Sequence, residues 1–184
     1  MTEQEKSEVG EEMDILWTLD HPYIVKYLRV SNNTSMSDTK RQLFSRWSTW
    51  KEDEFLTTSL KMEVSLLTQA PSDLQLSQIT KWILEALAYL HQKKILHWDV
   101  KPENILVSEQ GDVTSVKLID FGLSCQVDTY KYMPDLKCGT MLYMAPEVFK
   151  KEEYSKTVDV WSLGITLFKI ISGKHPLYRK GQTP

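Results

Sequence analysis

Glycine is scarce and scattered in this chain of 184 residues: seven occur, at positions 10, 111, 122, 139, 164, 173 and 181, with no Gly-x-Gly pair among them. No loop of the kind that closes over phosphates through repeated glycines can be assigned. Cysteine is scarcer. Cys125 and Cys138 are too few for a disulfide framework and lack the spacing of a zinc site. The expected setting is reducing, cytoplasmic or else nuclear. An excess of either charge is missing as well. With 22 Lys plus Arg against 25 Asp plus Glu, a net charge of −3 gives no global attraction to nucleic acid or an anionic membrane. Long apolar runs are absent too: residues 158–171 are interrupted by Asp159 and Lys169 and fall short of the roughly 20 residues of a membrane span. They read as a helix buried in protein. Residues 2–8 have neither the positive start nor the apolar core of a secretory signal. Membrane insertion, export and a nucleic-acid partner are therefore not expected.

What is present suits one domain, since 41% of residues are hydrophobic and a chain of this size buries roughly two-thirds of its unfolded surface. Residues 2–14 carry six acidic side chains and one lysine, followed by Ile15, Leu16 and Leu19 at helical spacing; Asp20-His21-Pro22 stops the pattern. Residues 23–30 read as a strand and 31–38 as a polar loop. Residues 40–51 mix Lys40, Arg41, Arg46 and Lys51 with Phe44, Trp47 and Trp50. That combination suits stacking on single strands, but without a wider positive field it reads as a loop insertion whose aromatics pack on the domain. Residues 55–64 form the next expected strand. Leu76, Ile79, Ile83, Leu87 and Leu90 then follow helical spacing, with Ser77 as the expected cap. Short strands are expected at 95–97, 104–108 and 116–119, with Gly111-Asp112 as a turn. A last helix runs from about Ser155 to Gly173, with Pro176 beyond it.

The chemistry lies in His97-Trp98-Asp99-Val100-Lys101-Pro102-Glu103-Asn104, in Asp120-Phe121-Gly122, and in Ala145-Pro146-Glu147. Phosphoryl transfer needs a carboxylate to orient the attacking hydroxyl, a cation on the moving phosphoryl group, and oxygen ligands for magnesium. Asp99, Lys101, Asn104 and Asp120 supply that set. Each triplet alone is weak; their order and spacing resemble the catalytic loop, the magnesium-binding triplet and the activation-segment end of the protein kinase family.

The resemblance implies ATP and Mg2+ as cofactors and proteins with serine or threonine acceptors as partners. Asp99 would be the catalytic base, Lys101 would neutralise the γ-phosphate, and Asn104 with Asp120 would hold magnesium. Leu106 would floor the adenine, and Lys61-Met62-Glu63-Val64 looks like a hinge, with backbone groups near Glu63 and Val64 on the base; core packing is the alternative for Leu106 and Met62. Leu16, Tyr27, His97 and Phe121 match the family's hydrophobic stack, anchored by Asp159. Lys101 two residues after Asp99, and Cys138-Gly139-Thr140 before Tyr143 and Ala145-Pro146-Glu147, resemble the serine/threonine branch, and Asp120-Phe121-Gly122-Leu123-Ser124 is similar to its calmodulin-dependent group. Glu103 would read a basic substrate residue or do nothing. The implied fold is α+β: a partial small lobe of one helix and two strands over residues 1–64, with an insertion at 31–54, then most of a mainly helical large lobe over 65–184.

Three departures qualify the expected activity. Glu12 lies where the family's helix glutamate pairs with a strand lysine, yet no such lysine or glycine loop precedes it, so the domain reads as cut short at both ends. Glu147 would lack the arginine that the family supplies further on, leaving a buried carboxylate unpaired. Trp98 replaces the arginine that in most members receives an activation-segment phosphate, and its indole has one donor and no charge. A serine/threonine kinase and a pseudokinase or interaction fragment both remain open at this stage.

Overall fold

A computed structural model describes residues 14–26, 71–109, 112–127 and 139–177. The expected strand at 55–64, the insertion at 31–54, Glu12, Tyr27, Met62, Glu63 and Val64 lie outside them. The described elements combine helices with short strands. They are α1 (Asp73–Gln92), β1 (Ile95–Leu96), a 3-10 turn (Pro102–Asn104), β2 (Ile105–Glu109), β3 (Asp112–Leu118), β4 (Cys125–Gln126), a second 3-10 turn (Met141–Tyr143), α2 (Pro146–Phe149) and α3 (Thr157–Ser172). No described helix is long and apolar enough to cross a membrane.

The α1 stripe folds as its spacing dictates: Ile79, Ile83, Ala86, Leu87 and Leu90 are buried. The expected cap is wrong. Ser77 lies exposed inside the helix, and Ser72 caps it through a reciprocal box in which Ser72 Oγ accepts from the Gln75 N–H at 3.3 Å and Gln75 Oε1 accepts from the Ser72 N–H at 3.0 Å. The first helical turn must satisfy free N–H groups before it can contribute to a core, so the cap precedes the stripe by a full turn.

Two antiparallel pairs carry the sheet structure. β2 and β3 form a hairpin in the register Ile105↔Leu118 and Leu106↔Lys117, with an irregularity between Val107 and Glu109. β1 pairs with β4 through Ile95↔Gln126 and Leu96↔Cys125. The strand expected from residue 23 is only a bridge within the described residues: Ile24 meets Leu118 in parallel, the Leu118 N–H donates to Tyr23 O, and the Val25 N–H donates to Leu118 O. This bridge carries Leu16, Leu19 and Ile24 into one core with α1, Val116, Leu118 and Phe121.

α3 starts at Thr157, two residues after the expected position, and ends at Gly173, whose φ of 65° is the left-handed conformation glycine adopts at no steric cost. It is not buried all round. Val158, Asp159, Ser162, Leu163, Ile165, Thr166 and Ile170 face inward, whereas Val160, Trp161, Phe168 and Ile171 are exposed. Apolar content had suggested full burial, but it does not say which faces other described elements reach.

Candidate active site

Residues 97–104 run as an irregular loop from β1 into β2, and α3 holds it from below. Asp159 is fully buried and accepts three donors: the His97 N–H at 3.1 Å, the Trp98 N–H at 2.9 Å and His91 Nε2–H at 2.8 Å. A buried carboxylate is tolerated only when so paired. Thr166 Oγ1 donates to Val100 O at 3.1 Å, one turn further along the loop. These anchors hold Trp98 at φ 66°, a left-handed conformation that costs a non-glycine residue about 1–3 kcal/mol. The indole offsets that cost. It is 5% exposed, its Nε1–H donates to Cys125 Sγ at 3.1 Å, and its ring meets Tyr154 edge-on at 4.8 Å.

The left-handed turn presents the next side chain, Asp99, to four donors. Its Oδ2 accepts from Lys101 Nζ at 2.6 Å and Asn104 Nδ2 at 2.9 Å. Oδ1 accepts from the Thr140 N–H at 3.0 Å and Thr140 Oγ1 at 2.8 Å. Burial pushes the Asp99 carboxyl up, but the hydrogen bonds from Lys101 and Thr140 outweigh it and hold the group below the ordinary value, so it stays ionised. His97 is driven the other way. Burial holds its imidazole below the usual range despite the nearby carboxylates of Asp159, Asp120 and Asp99. It is neutral, with the proton on Nε2 donated to Ile119 O at 3.1 Å and Nδ1 accepting the Asp99 N–H at 3.3 Å.

The β2–β3 pairing brings the backbone before Asp120 against Asn104, since the Ile119 N–H donates to Asn104 O. Asn104 is buried and gives its amide N–H to Asp99 O and Oδ2, which leaves its side-chain carbonyl oxygen as an acceptor. Asp120, at φ 61°, accepts the Gly122 N–H on Oδ1 at 3.3 Å; Oδ2 takes no hydrogen bond from the described residues. Two side chains with spare oxygens fit magnesium, which keeps most of its shell for water and nucleotide phosphates. No cluster of three or more His, Cys, Asp or Glu among the described residues offers a complete protein cage. Phe121 turns inward and meets His97 edge-on at 4.8 Å, and Leu16 joins the core that includes Phe121. Leu106 is half-buried on β2 opposite Lys117.

A second turn closes the site from the other side. Gly139 lies against the Trp98 carbonyl so closely that an added Cβ would stand 2.0 Å from that oxygen, which explains glycine here on steric grounds. The turn Met141–Tyr143 follows, and its far end is tied to the first loop by Lys169 Nζ, which donates to Tyr143 Oη at 3.0 Å and to Glu103 Oε1 at 3.1 Å. Ser162 Oγ donates to Tyr143 O at 2.8 Å. Glu147 corrects an expectation: it is half-exposed, not buried, so water solvates a carboxylate that the sequence suggested would be stranded.

The structure thus brings Asp99, Lys101, Asn104, Thr140, His97 and Trp98 into one bonded cluster, with Asp159 beneath and Phe121 beside it. Glu12, Tyr27, Met62, Glu63 and Val64 lie outside the described residues. Sequence reasoning missed the contacts that His91, Tyr143, Ser162 and Thr166 make. Lys169 had shown only as a charge breaking an apolar run, which is itself the signal: a cation kept in a half-buried helix needs partners.

A model of the protein kinase domain matches residues 1–184. The serine/threonine-protein kinase dkf-2 of Caenorhabditis briggsae is 33% identical over 165 residues, 90% of this chain and 13% of the relative. The probable serine/threonine-protein kinase MARK-C of Dictyostelium discoideum is 31% identical over 174 residues, 94% of this chain and 21% of the relative. The MAP kinase kinase MKK1/SSP32 of Saccharomyces cerevisiae is 44% identical over 105 residues, 57% of this chain and 20% of the relative. The chain therefore spans about an eighth to a fifth of the length of these relatives. A loop that fixes an ionised aspartate between a lysine, an asparagine and a threonine, in a chain matched from end to end, places this protein in the protein kinase domain family.

Proposed function

We propose that this domain transfers the γ-phosphate of ATP to serine or threonine hydroxyls of proteins, with magnesium held by Asn104 and Asp120. The observation that carries the reading is the hydroxyl of Thr140 donating to Asp99 Oδ1 at 2.8 Å. It occupies the position of an alcohol proton on an ionised carboxylate, the contact through which a substrate hydroxyl would be oriented. Lys101 Nζ, bonded to both Asp99 and Thr140, puts a cation beside that position, where charge builds on a phosphoryl group in transfer. When bound, the metal supplies charge neutralisation between the nucleotide phosphates. The chain's own part is to orient the acceptor through Asp99, to hold the cation of Lys101, and to fix both against α3.

In this reading Leu106 contacts the adenine, Glu12 sits on the small-lobe helix, and Met62, Glu63 and Val64 form the hinge; residues 1–64 belong to the small lobe and 65–184 to the large one. The domain acts in the cytoplasm, where its thiols stay reduced. The test is transfer of radiolabelled phosphate from ATP to serine, threonine and tyrosine peptides, with Asp99→Asn as control. Label on serine or threonine that disappears in Asp99→Asn supports the proposal. Nucleotide binding without transfer in the unaltered chain would favour the pseudokinase reading.

A further inference from the structure

The turn Met141–Tyr143 follows directly on Thr140, so whatever fixes the turn also fixes the hydroxyl at Asp99. A 3-10 helix repeats every three residues, which puts Thr140 and Tyr143 on one face of it. Both are held there. Thr140 gives its N–H and Oγ1 to Asp99 Oδ1, and Tyr143 O accepts from Ser162 Oγ at 2.8 Å. Two holds on one line define an axis and leave the turn free to roll about it. The turn's own backbone bonds, from the Tyr143 N–H to Thr140 O at 2.9 Å and from the Met144 N–H to Met141 O at 3.3 Å, move with it and cannot oppose the roll.

His175 supplies a hold that lies off this axis. α3 ends at Gly173, and Ser172 Oγ fixes the reversal beyond it by accepting the Lys174 N–H at 3.2 Å. The chain thereby returns the His175 ring to the turn. Its Nε2 lies 2.8 Å from Leu142 O, and the Leu177 N–H donates to its Nδ1 at 3.2 Å. A carbonyl can only accept and an amide N–H only donate, so the proton sits on Nε2 and the ring is neutral, fixed at both nitrogens. The ring also meets Tyr143 edge-on at 5.6 Å. Leu142 is on a second face of the turn, and the third carries Met141, which is exposed.

We infer that His175 is a positioning residue for phosphate transfer: through Leu142 it stops the roll of the turn and keeps Thr140 against Asp99, the carboxylate that orients the acceptor. This rests on the proposed role of Asp99, so the test includes a readout that requires no turnover.

Three forms of the full chain are compared. They are the parent, His175→Phe, which keeps a ring edge for Tyr143 without a donor, and His175→Gln, whose amide can donate to Leu142 O without the ring. Amide exchange at Thr140, read by nuclear magnetic resonance without ATP, reports its bond to Asp99; exchange at Leu87, buried on α1, is the reference. Initial rates of transfer to a serine peptide at saturating ATP report the reaction. In His175→Phe, Thr140 should exchange about tenfold faster and transfer should fall about tenfold, the loss expected for one hydrogen bond, with Leu87 exchange and the KM for ATP unchanged. His175→Gln should match the parent within about twofold in both. If His175→Phe melts too early to assay, His175→Leu is judged by the same criterion. Parent-like exchange or rate in the donor-free variant, failure of His175→Gln to recover either, or acceleration of Leu87 in step with Thr140 would overturn the inference. A Thr140 amide that responds as expected while no form transfers phosphate would instead sink the kinase reading and uphold the hold of His175 on the turn.

Discussion

Replacing Gly139 with alanine tests whether the two turns must touch for the site to work. The new Cβ would lie 2.0 Å from Trp98 O, 3.1 Å from Trp98 C and 3.3 Å from Asp99 Oδ1, about 1 Å inside the 3.0 Å limit that real Cβ atoms keep. The nearest two atoms, Trp98 O and C, are backbone and cannot rotate away. Trp98 is held by Asp159 and Thr140 by Asp99, so relief requires that one of these contacts open by about that 1 Å. Overpacking of this kind costs about 1–3 kcal/mol, which in a domain of this size lowers the melting temperature by roughly 2–4 °C per kcal/mol. The rate should fall more steeply, since a misplacement of 1 Å in a positioned catalytic group costs about a hundredfold. Initial rates of phosphate transfer to a serine peptide at saturating ATP, beside thermal melts, give both numbers. A variant that melts and transfers like the parent would refute the close approach, and a lowered melt with an unchanged rate would refute the need for Thr140 against Asp99.

Other perturbations reach the same site from different sides. Asp99→Asn and Asp120→Asn should each lower phosphate transfer by at least ~10²–10⁴-fold, measured with radiolabelled ATP; wild-type rates in either would remove the roles assigned to them. Because Trp98 is buried among Cys125 and Tyr154 and offers no charge, phosphatase treatment of any phosphate on residues 124–140 should leave the initial rate unchanged. Trp98→Arg should lower the melting temperature, and a large phosphatase effect in the tryptophan form would mean that another cation receives the phosphate. The neutral imidazole of His97 has a folded pKa below its ordinary 6.5. Below that pH the unfolded chain binds a proton that the folded chain refuses, so stability should fall as pH drops through 6.5 toward the folded value. Melts across pH 5 to 8 should show this slope in the parent and lose it in His97→Phe, which keeps an aromatic edge for Phe121.

The parts of this protein legible in its sequence are those whose cause is local. The α1 stripe follows from the positions of Ile79, Ile83, Leu87 and Leu90, and the loop chemistry follows from Asp99, Lys101 and Asn104 standing within six residues of one another. Ser72 is less legible as the cap because Ser77 stands nearer the first apolar residue, Leu76. The cross-links were illegible for a simple reason: Lys169 is 66 residues from Glu103, His91 is 68 from Asp159 and Thr140 is 41 from Asp99. No spacing rule connects such pairs. β4 was missed likewise, because its two residues pair only with Leu96 and Ile95, about thirty positions earlier. Glu147 misled in the opposite sense, since a familiar motif carried an assumption of burial that its half-exposed side chain does not meet.

Asp159 and Lys169 stand ten residues apart on α3, so the helix rise of 1.5 Å per residue sets them about 15 Å apart along a rigid rod. One grips the beginning of the loop 97–104 at His97 and Trp98; the other grips its end at Glu103. The helix thereby works as a gauge whose length fixes the span of the loop. Inserting one residue between the two grips would turn the second about 100° away from the loop, so α3 tolerates a change of side chain on its outer face far better than any change in the count of residues between its charges.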